Sequence, residues 1–241
     1  MNAKEHYENH LGGFYGWMSG DFLTKQTEQE FFFIRNGIEP GQTATAIDLG
    51  CGHGLQSVSL AKRGFVVEAV DFNDQLIEEI MKNKGDLTIR IHQQDLIKFL
   101  NDFDGKADII TCMGDTITHL SDRQLIVTLI KTSAEKLIHG GKLVIAFRDL
   151  TQELADEKRF FLVQSDSERI HSCFLEYFPG YVKVFDILNT LERGKWIQKA
   201  SWYSKLRIDE LYLRAILNQH SFAVINSEVI NGLIYVIAQK K

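Results

Sequence analysis

Two hydrophobic rhythms alternate along the first 150 residues. Nearly continuous apolar runs at 43–49 (TATAIDL), 65–71 (FVVEAVD), 88–92, 107–113 (ADIITCM) and 142–147 (KLVIAF) predict buried strands. Between them, residues 55–63, 74–83 and 121–138 repeat apolar positions at helical spacing. Asn73 or Asp74 is placed to cap the second of these helices. Ser121 and Gln124 stand at capping-box spacing in the third, which Gly140-Gly141 is expected to end. Upstream, 24–37 predicts a further helix, with Thr27 and Glu30 at the same spacing. Strands and helices alternating through short connections predict a parallel sheet with helices on both faces.

After Asp149 the rhythm changes. The runs FFLVQS, HSCFLEYF, YVKVFDIL and WIQKASWY partly alternate polar with apolar residues, and Pro179-Gly180 and Arg193-Gly194 mark turns. They predict an antiparallel sheet with one wet face. Residues 208–219 return to helix, and 222–229 with 233–239 form a closing strand pair around the hairpin dipeptide Asn231-Gly232. The expected fold is therefore α/β. A seven-stranded, mostly parallel, doubly wound sheet with a C-terminal antiparallel hairpin is built from 1–150 and 207–241, and 151–206 is inserted as a mostly β lid. Such sheets bind ligands beyond the carboxyl ends of their strands, where strand order reverses. That directs attention to the loop after the first strand.

Composition narrows the class. Of 241 residues, 44% are hydrophobic and 24% charged, which is ordinary for a globular chain. The acidity is concentrated in 1–150 (21 acids against 15 bases), while 151–206 balances at 8 of each. No segment is basic enough to favour a nucleic-acid partner. No apolar run reaches the roughly 18 residues that a membrane span needs. MNAKEHYENH has no apolar leader core. Cys51, Cys112 and Cys173 are odd in number and far apart, as expected of reduced thiols in a cytoplasmic protein, no C-x-x-C or H-E-x-x-H appears, and no metal is expected.

The first strand runs into Asp48-Leu49-Gly50-Cys51-Gly52-His53-Gly54, and the second ends in Asp71, 23 residues after Asp48. Alternate glycines let a ligand approach the backbone at a helix N-terminus. A carboxylate on the second strand can accept both hydroxyls of a ribose. Nicotinamide folds usually space the glycines G-x-G-x-x-G. The spacing here, with an acid two residues upstream, resembles motif I of the class I S-adenosylmethionine (SAM) dependent methyltransferases. His53 occupies a variable position of that loop and is expected to be exposed and inert.

The resemblance covers about 185 residues. It implies SAM as cofactor, held by Asp48, Gly50, Cys51, Gly52 and Gly54, with Asp71 on the ribose, Phe72 beside the adenine, Asp95 near its amino group, Gln94 and Leu96 flanking Asp95 in the cofactor site, and Met113 at motif IV. Within the family, CMGDTITHL resembles the L-G-N-S-x-x-H-L segment of the glycine/sarcosine N-methyltransferase group. That nearer resemblance places Tyr15 and Trp17 over the cofactor and Lys25 near its carboxylate. It places Asp115 and His119 at the acceptor as catalytic and substrate residues, Arg148 on a substrate anion, and Tyr177 in the lid. Asp115 replaces the group's asparagine and would repel a carboxylate, so a larger or more cationic amine is as much an expected acceptor as glycine, and Lys25 in place of the group's arginine removes a bidentate fork. The absence of N/D-P-P-Y/F after the fourth strand sets aside the amino-nucleobase methyltransferases. The reading is methyl transfer to a small molecule, at an amine nitrogen. An O-methyltransferase, a tRNA or protein methyltransferase, and a non-catalytic SAM- or nucleotide-binding module are the alternatives. The oligomeric state is not legible.

Overall fold

The computed structural model describes residues 2–241. The central sheet is built from β1 (Thr45–Leu49), β2 (Val66–Asp71), β3 (Ile89–Gln93), β4 (Ala107–Cys112), β5 (Leu137–Phe147), β10 (Phe222–Ile230) and β11 (Leu233–Lys240). A second sheet holds β6 (Phe160–Ser165), β7 (Arg169–Tyr177), β8 (Tyr181–Glu192) and β9 (Lys195–Leu206). The helices are α1 (Ala3–His6), α2 (Tyr15–Ser19), α3 (Phe22–Arg35), α4 (Leu55–Lys62), α5 (Asp74–Asn83), α6 (Leu96–Asp102), α7 (Arg123–Lys136) and α8 (Glu210–Gln219).

The central order is β10-β11-β5-β4-β1-β2-β3, parallel except at β11, which runs antiparallel to both neighbours. Order reverses between β1 and β4, so the carboxyl ends of those strands open a crevice. Both sheet faces are buried. Ile47, Leu49, Ile110 and Ile145 pack on one side against α7 and α8, and Ala46, Val67, Ile109 and Val144 on the other against α3 and α4. Double burial explains why these strands read as unbroken apolar runs.

Helix boundaries differ from expectation for local reasons. Asp122, not Ser121, caps α7 by accepting the Leu125 N–H at 2.9 Å. Asp21 caps α3, which starts ahead of Thr24 and leaves Thr27 in its interior. Gly140-Gly141 does not end α7. The helix stops at Lys136 and β5 begins directly, with Gly140 at φ +77° inside the strand.

The second sheet is antiparallel in the order β6-β7-β8-β9 and leaves the chain between β5 and α8. Its inner face buries Cys173, Leu175, Val182, Val184 and Tyr203. The opposite face is less polar than the sequence pattern implied, because Phe160, Phe174 and Phe185 line up across three strands. Arg207 fastens the sheet where the chain returns. It donates to the carbonyls of Leu150, Thr151 and Phe178 at 3.1, 2.7 and 2.8 Å. Among the described residues, no helix is long and apolar enough to cross a membrane.

Candidate active site

β1 turns at Gly50 (φ +70°) and Gly52 (φ +53°), conformations that favour glycine. A Cβ at Gly50 would collide with the Thr116 side chain, and one at Gly54 (φ +95°) would lie 2.5 Å from Ile80 Cγ1. The first two glycines keep a cavity open, and the third lets α4 pack on α5.

Asp48 and Asp71 end neighbouring strands and are both buried, but they do different work. Asp48 lies beneath the loop, accepting from Ser57 Oγ (2.6 Å) and Thr111 Oγ1 (2.8 Å), and does not line the cavity. Burial raises its pKa to about 6. Asp71 lines the cavity. Its carboxylate accepts the N–H groups of Gly52 (2.8 Å) and Asn73 (3.0 Å) and makes no ion pair among the described residues. Burial raises its pKa too. A buried, uncompensated carboxylate on a cavity wall suits a ligand bringing two hydroxyl donors.

The cavity measures about 490 Å³, within the range of small-molecule sites. Of the expected cofactor residues, Tyr15, Gly50, Cys51, Gly52, Asp71, Phe72, Gln94, Asp95, Leu96 and Met113 line it. Asp95 also caps α6 through the Lys98 N–H at 2.9 Å. Trp17 is elsewhere: its Nε1–H donates to Asp166 at 2.6 Å, and the Arg169 guanidinium lies over its ring. Lys25 pairs with Glu28 on the surface of α3. His53, expected at the surface, is only 6% exposed. It sits edge-on to Tyr15 and Phe22, 3.1 Å from Ser19 Oγ, and burial lowers its pKa to about 4.

A second cavity of about 700 Å³ lies between the start of α7 and the β9 strand, lined by Arg123, Tyr181, Ser204 and Lys205. His119 belongs to both cavities. Its ring stacks on Tyr203 (5.2 Å) and meets Tyr7 edge-on (5.7 Å). Burial and the Lys205 charge lower its pKa to about 3, so the imidazole is neutral. Burial also keeps Tyr7 and Tyr203 protonated.

Asp115 lines neither cavity. Its φ is +76°, and its carboxylate is occupied by the Lys205 ammonium at 2.5 Å and the Arg148 N–H at 2.9 Å. Burial would raise its pKa, but the Lys205 charge and the hydrogen bonds from Lys205 and the Arg148 N–H outweigh burial and lower it. A carboxylate this well neutralised is a poor proton acceptor, which corrects the expectation of a free acid facing the methyl acceptor. The Arg148 side chain is exposed and turned to the hairpin, with Nη1 3.4 Å from the Asn231 carbonyl. Tyr177 lies under the Arg207 guanidinium and lines neither cavity. Sequence reasoning missed Tyr7, Ser19 and Lys205. The first two belong to a short-helix N-terminal arm without periodicity, and Lys205 meets Asp115 across 90 residues of chain.

Residues 46–141 match the family described as a methyltransferase domain. A ubiquinone biosynthesis O-methyltransferase of Coxiella burnetii is 40% identical over 100 residues, 40% of each chain. A glycine/sarcosine/dimethylglycine N-methyltransferase of Actinopolyspora halophila is 30% identical over 156 residues, 62% of this chain and 27% of the relative. The chain thus spans well under half the length of these relatives. Among solved structures, the CcbJ methyltransferase of Streptomyces caelestis aligns with a TM-score of 0.78 at 12% identity, over 97% of both chains. A SAM-bound amino pentose methyltransferase of Micromonospora echinaspora aligns at 0.74 and 14% identity, over 93% of this chain and 94% of that one.

Proposed function

We propose that this chain, whose fold is that of the class I SAM-dependent methyltransferases, transfers a methyl group to the nitrogen of a small-molecule amine. The observation that carries this reading is the meeting of two cavities at His119, one walled by the glycine loop and Asp71, the other by the second sheet. SAM, when bound, supplies a methyl group on a sulfonium sulfur, an electrophile that needs an aligned lone pair.

The chain's own residues bind and align. Asp71 is the acceptor for a ribose diol, and Phe72 and Leu96 offer apolar contact for a purine. Gln94 and Asp95 offer polar contact at the rim, and Tyr7 and Tyr15 exclude water. The second sheet acts as the lid over residues 1–150 and 207–241, and Lys205 holds it against Asp115.

The choice of nitrogen rests on the acid–base inventory. His119 is a weak base, Asp115 is neutralised by Lys205, and Tyr7 and Tyr203 stay protonated. A hydroxyl acceptor must lose its proton to a base, whereas a neutral amine already presents its lone pair. Names of relatives include both O- and N-methyltransferases; this inventory supports the latter.

The test is a screen of amines, amino acids and phenols with SAM, read by mass-spectrometric detection of S-adenosylhomocysteine and the methylated product. Turnover of amines in preference to phenols is expected. Preference for phenols overturns the assignment of nitrogen, and SAM binding without turnover of any acceptor favours a binding module.

A further inference from the structure

Away from both cavities, the second sheet buries an uncommon set of side chains around one carboxylate. Asp186 on β8 is 2% exposed, His171 on β7 1%, and Cys173 on β7 6%. The β7–β8 register puts Cys173 directly opposite Asp186, and the period of two puts His171 on the same inner face. The Cys173 thiol donates to Asp186 Oδ1 at 2.9 Å, and His171 Nε2–H donates to the same oxygen at 3.0 Å. Cys173 Sγ and His171 Nε2 are 3.8 Å apart. The other oxygen, Oδ2, lies 2.7 Å from Nε2 of His6, in α1. His6 Nδ1 is in turn 2.9 Å from Ser201 Oγ.

From this geometry we infer that His171 Nε2, Cys173 Sγ and Asp186 Oδ1 form a zinc-binding site, with His6 holding the ligating carboxylate from the N-terminal arm. The three donor atoms lie within 4.8 Å of one another. Four-coordinate zinc, with bonds of about 2.0–2.3 Å, spaces its ligands by roughly 3.3–3.6 Å. Shifts of a few tenths of an ångström bring the observed separations to those values. Thiolate, imidazole and carboxylate together suit zinc better than magnesium or calcium, which take oxygen ligands.

A carboxylate ligand hydrogen-bonded to a histidine also fits the outer-shell pattern of metal sites. Zinc with three protein ligands keeps a fourth position, and His6 is a further imidazole donor on the same carboxylate. Binding changes two donors: the S–H bond breaks as the Zn–S bond forms and that proton leaves to solvent, while the proton on Nε2 of neutral His171 moves to its unpartnered Nδ1 as the Zn–N bond forms. No redox partner is involved.

The placement gives the site a consequence. His6 belongs to the arm that also carries Tyr7, and its ring stacks on Tyr203 at 4.4 Å. Tyr203 stacks on His119. The His6–Asp186 contact ties the arm to the second sheet, so an ion held by Asp186 sits immediately behind the wall of the candidate active site.

The experiment is equilibrium dialysis of chelator-stripped full-length protein against zinc, with metal counted by mass spectrometry, and parallel titration with Co²⁺ read by absorption. One zinc per chain is expected, together with a near-ultraviolet thiolate-to-cobalt charge-transfer band and release of about one proton from the thiol. Cys173→Ser should abolish the band and weaken zinc binding at least tenfold, and His171→Gln should weaken it by a similar factor. His139→Gln, at an exposed position, should change neither. Circular dichroism establishes that each variant is folded, and Asp186→Asn serves where Cys173→Ser is not. Absence of stoichiometric zinc in the wild-type protein, or binding and a cobalt spectrum unchanged in both folded ligand variants, would overturn the proposal and leave a purely hydrogen-bonded cluster.

Discussion

Asp48 and Asp71 show how one residue type at the ends of adjacent strands divides into a support and a binding group. Asp48 releases its proton near pH 3.8 when unfolded and near about 6 when folded. Between those values the native state holds more protons, so this residue's contribution to stability falls as pH rises from about 4 to about 6. The cost at neutral pH is on the order of 3 kcal/mol. Asp48→Asn should flatten that part of the stability profile, measured as unfolding free energy in denaturant. An unchanged slope would remove the buried charge as its cause.

His53 works in the opposite sense. Its pKa falls from 6.5 to about 4 on folding, so the unfolded state binds the extra proton and stability rises with pH across that window. His53→Gln should therefore lose less stability than the wild type on acidification from about pH 6.5 to 4. Asp71→Asn should weaken SAM binding by about 1–3 kcal/mol, the cost of losing charge-assisted acceptance. Equal SAM affinity in the two proteins would displace the ribose from this wall.

At the scale of elements, the Asp115–Lys205 pair joins the segment after β4 to β9. Removing one partner of a buried pair costs more than removing both, because the remaining charge is left without compensation. Lys205→Met should destabilise by about 3–5 kcal/mol, and Lys205→Met combined with Asp115→Asn by clearly less. A thermal or denaturant double-mutant cycle reads the difference, and strict additivity would argue against the pair as a structural contact.

This pair also shows where sequence reading reaches its limit. The glycine loop, the strand-terminal Asp71 and the alternating elements were legible because each is encoded within a few neighbouring residues. The partner of Asp115 was not, since long-range pairing leaves no local period. Trp17 and Arg148 failed for a related reason. Their positions along the chain were placed by resemblance, but the direction of each side chain is set by a neighbour far away in sequence, Asp166 for Trp17 and Asn231 for Arg148. The N-terminal arm passes from α1 through a π-helical turn at Tyr7–Leu11 and a 3-10 turn at Gly12–Phe14 before α2, so no single period reveals the face that carries Tyr7 and Tyr15.

At the scale of the whole molecule, the second sheet leaves the core after β5 and returns before α8, and Arg207 binds both crossings to the β7–β8 turn. Arg207→Ala strands three carbonyls and should lower stability by about 2–4 kcal/mol. The same change should raise KM for the acceptor more than Kd for SAM, because the cavity beside β9 depends on the sheet's placement. The two-cavity arrangement stands or falls on what occupies the cavity walled by the glycine loop. Isothermal titration calorimetry of the wild-type protein with SAM, S-adenosylhomocysteine and NAD tests that most directly. Saturable binding of both adenosyl-sulfur ligands at one site per chain is expected, with no binding of NAD over the same range. Binding of NAD with none of SAM or S-adenosylhomocysteine would contradict it.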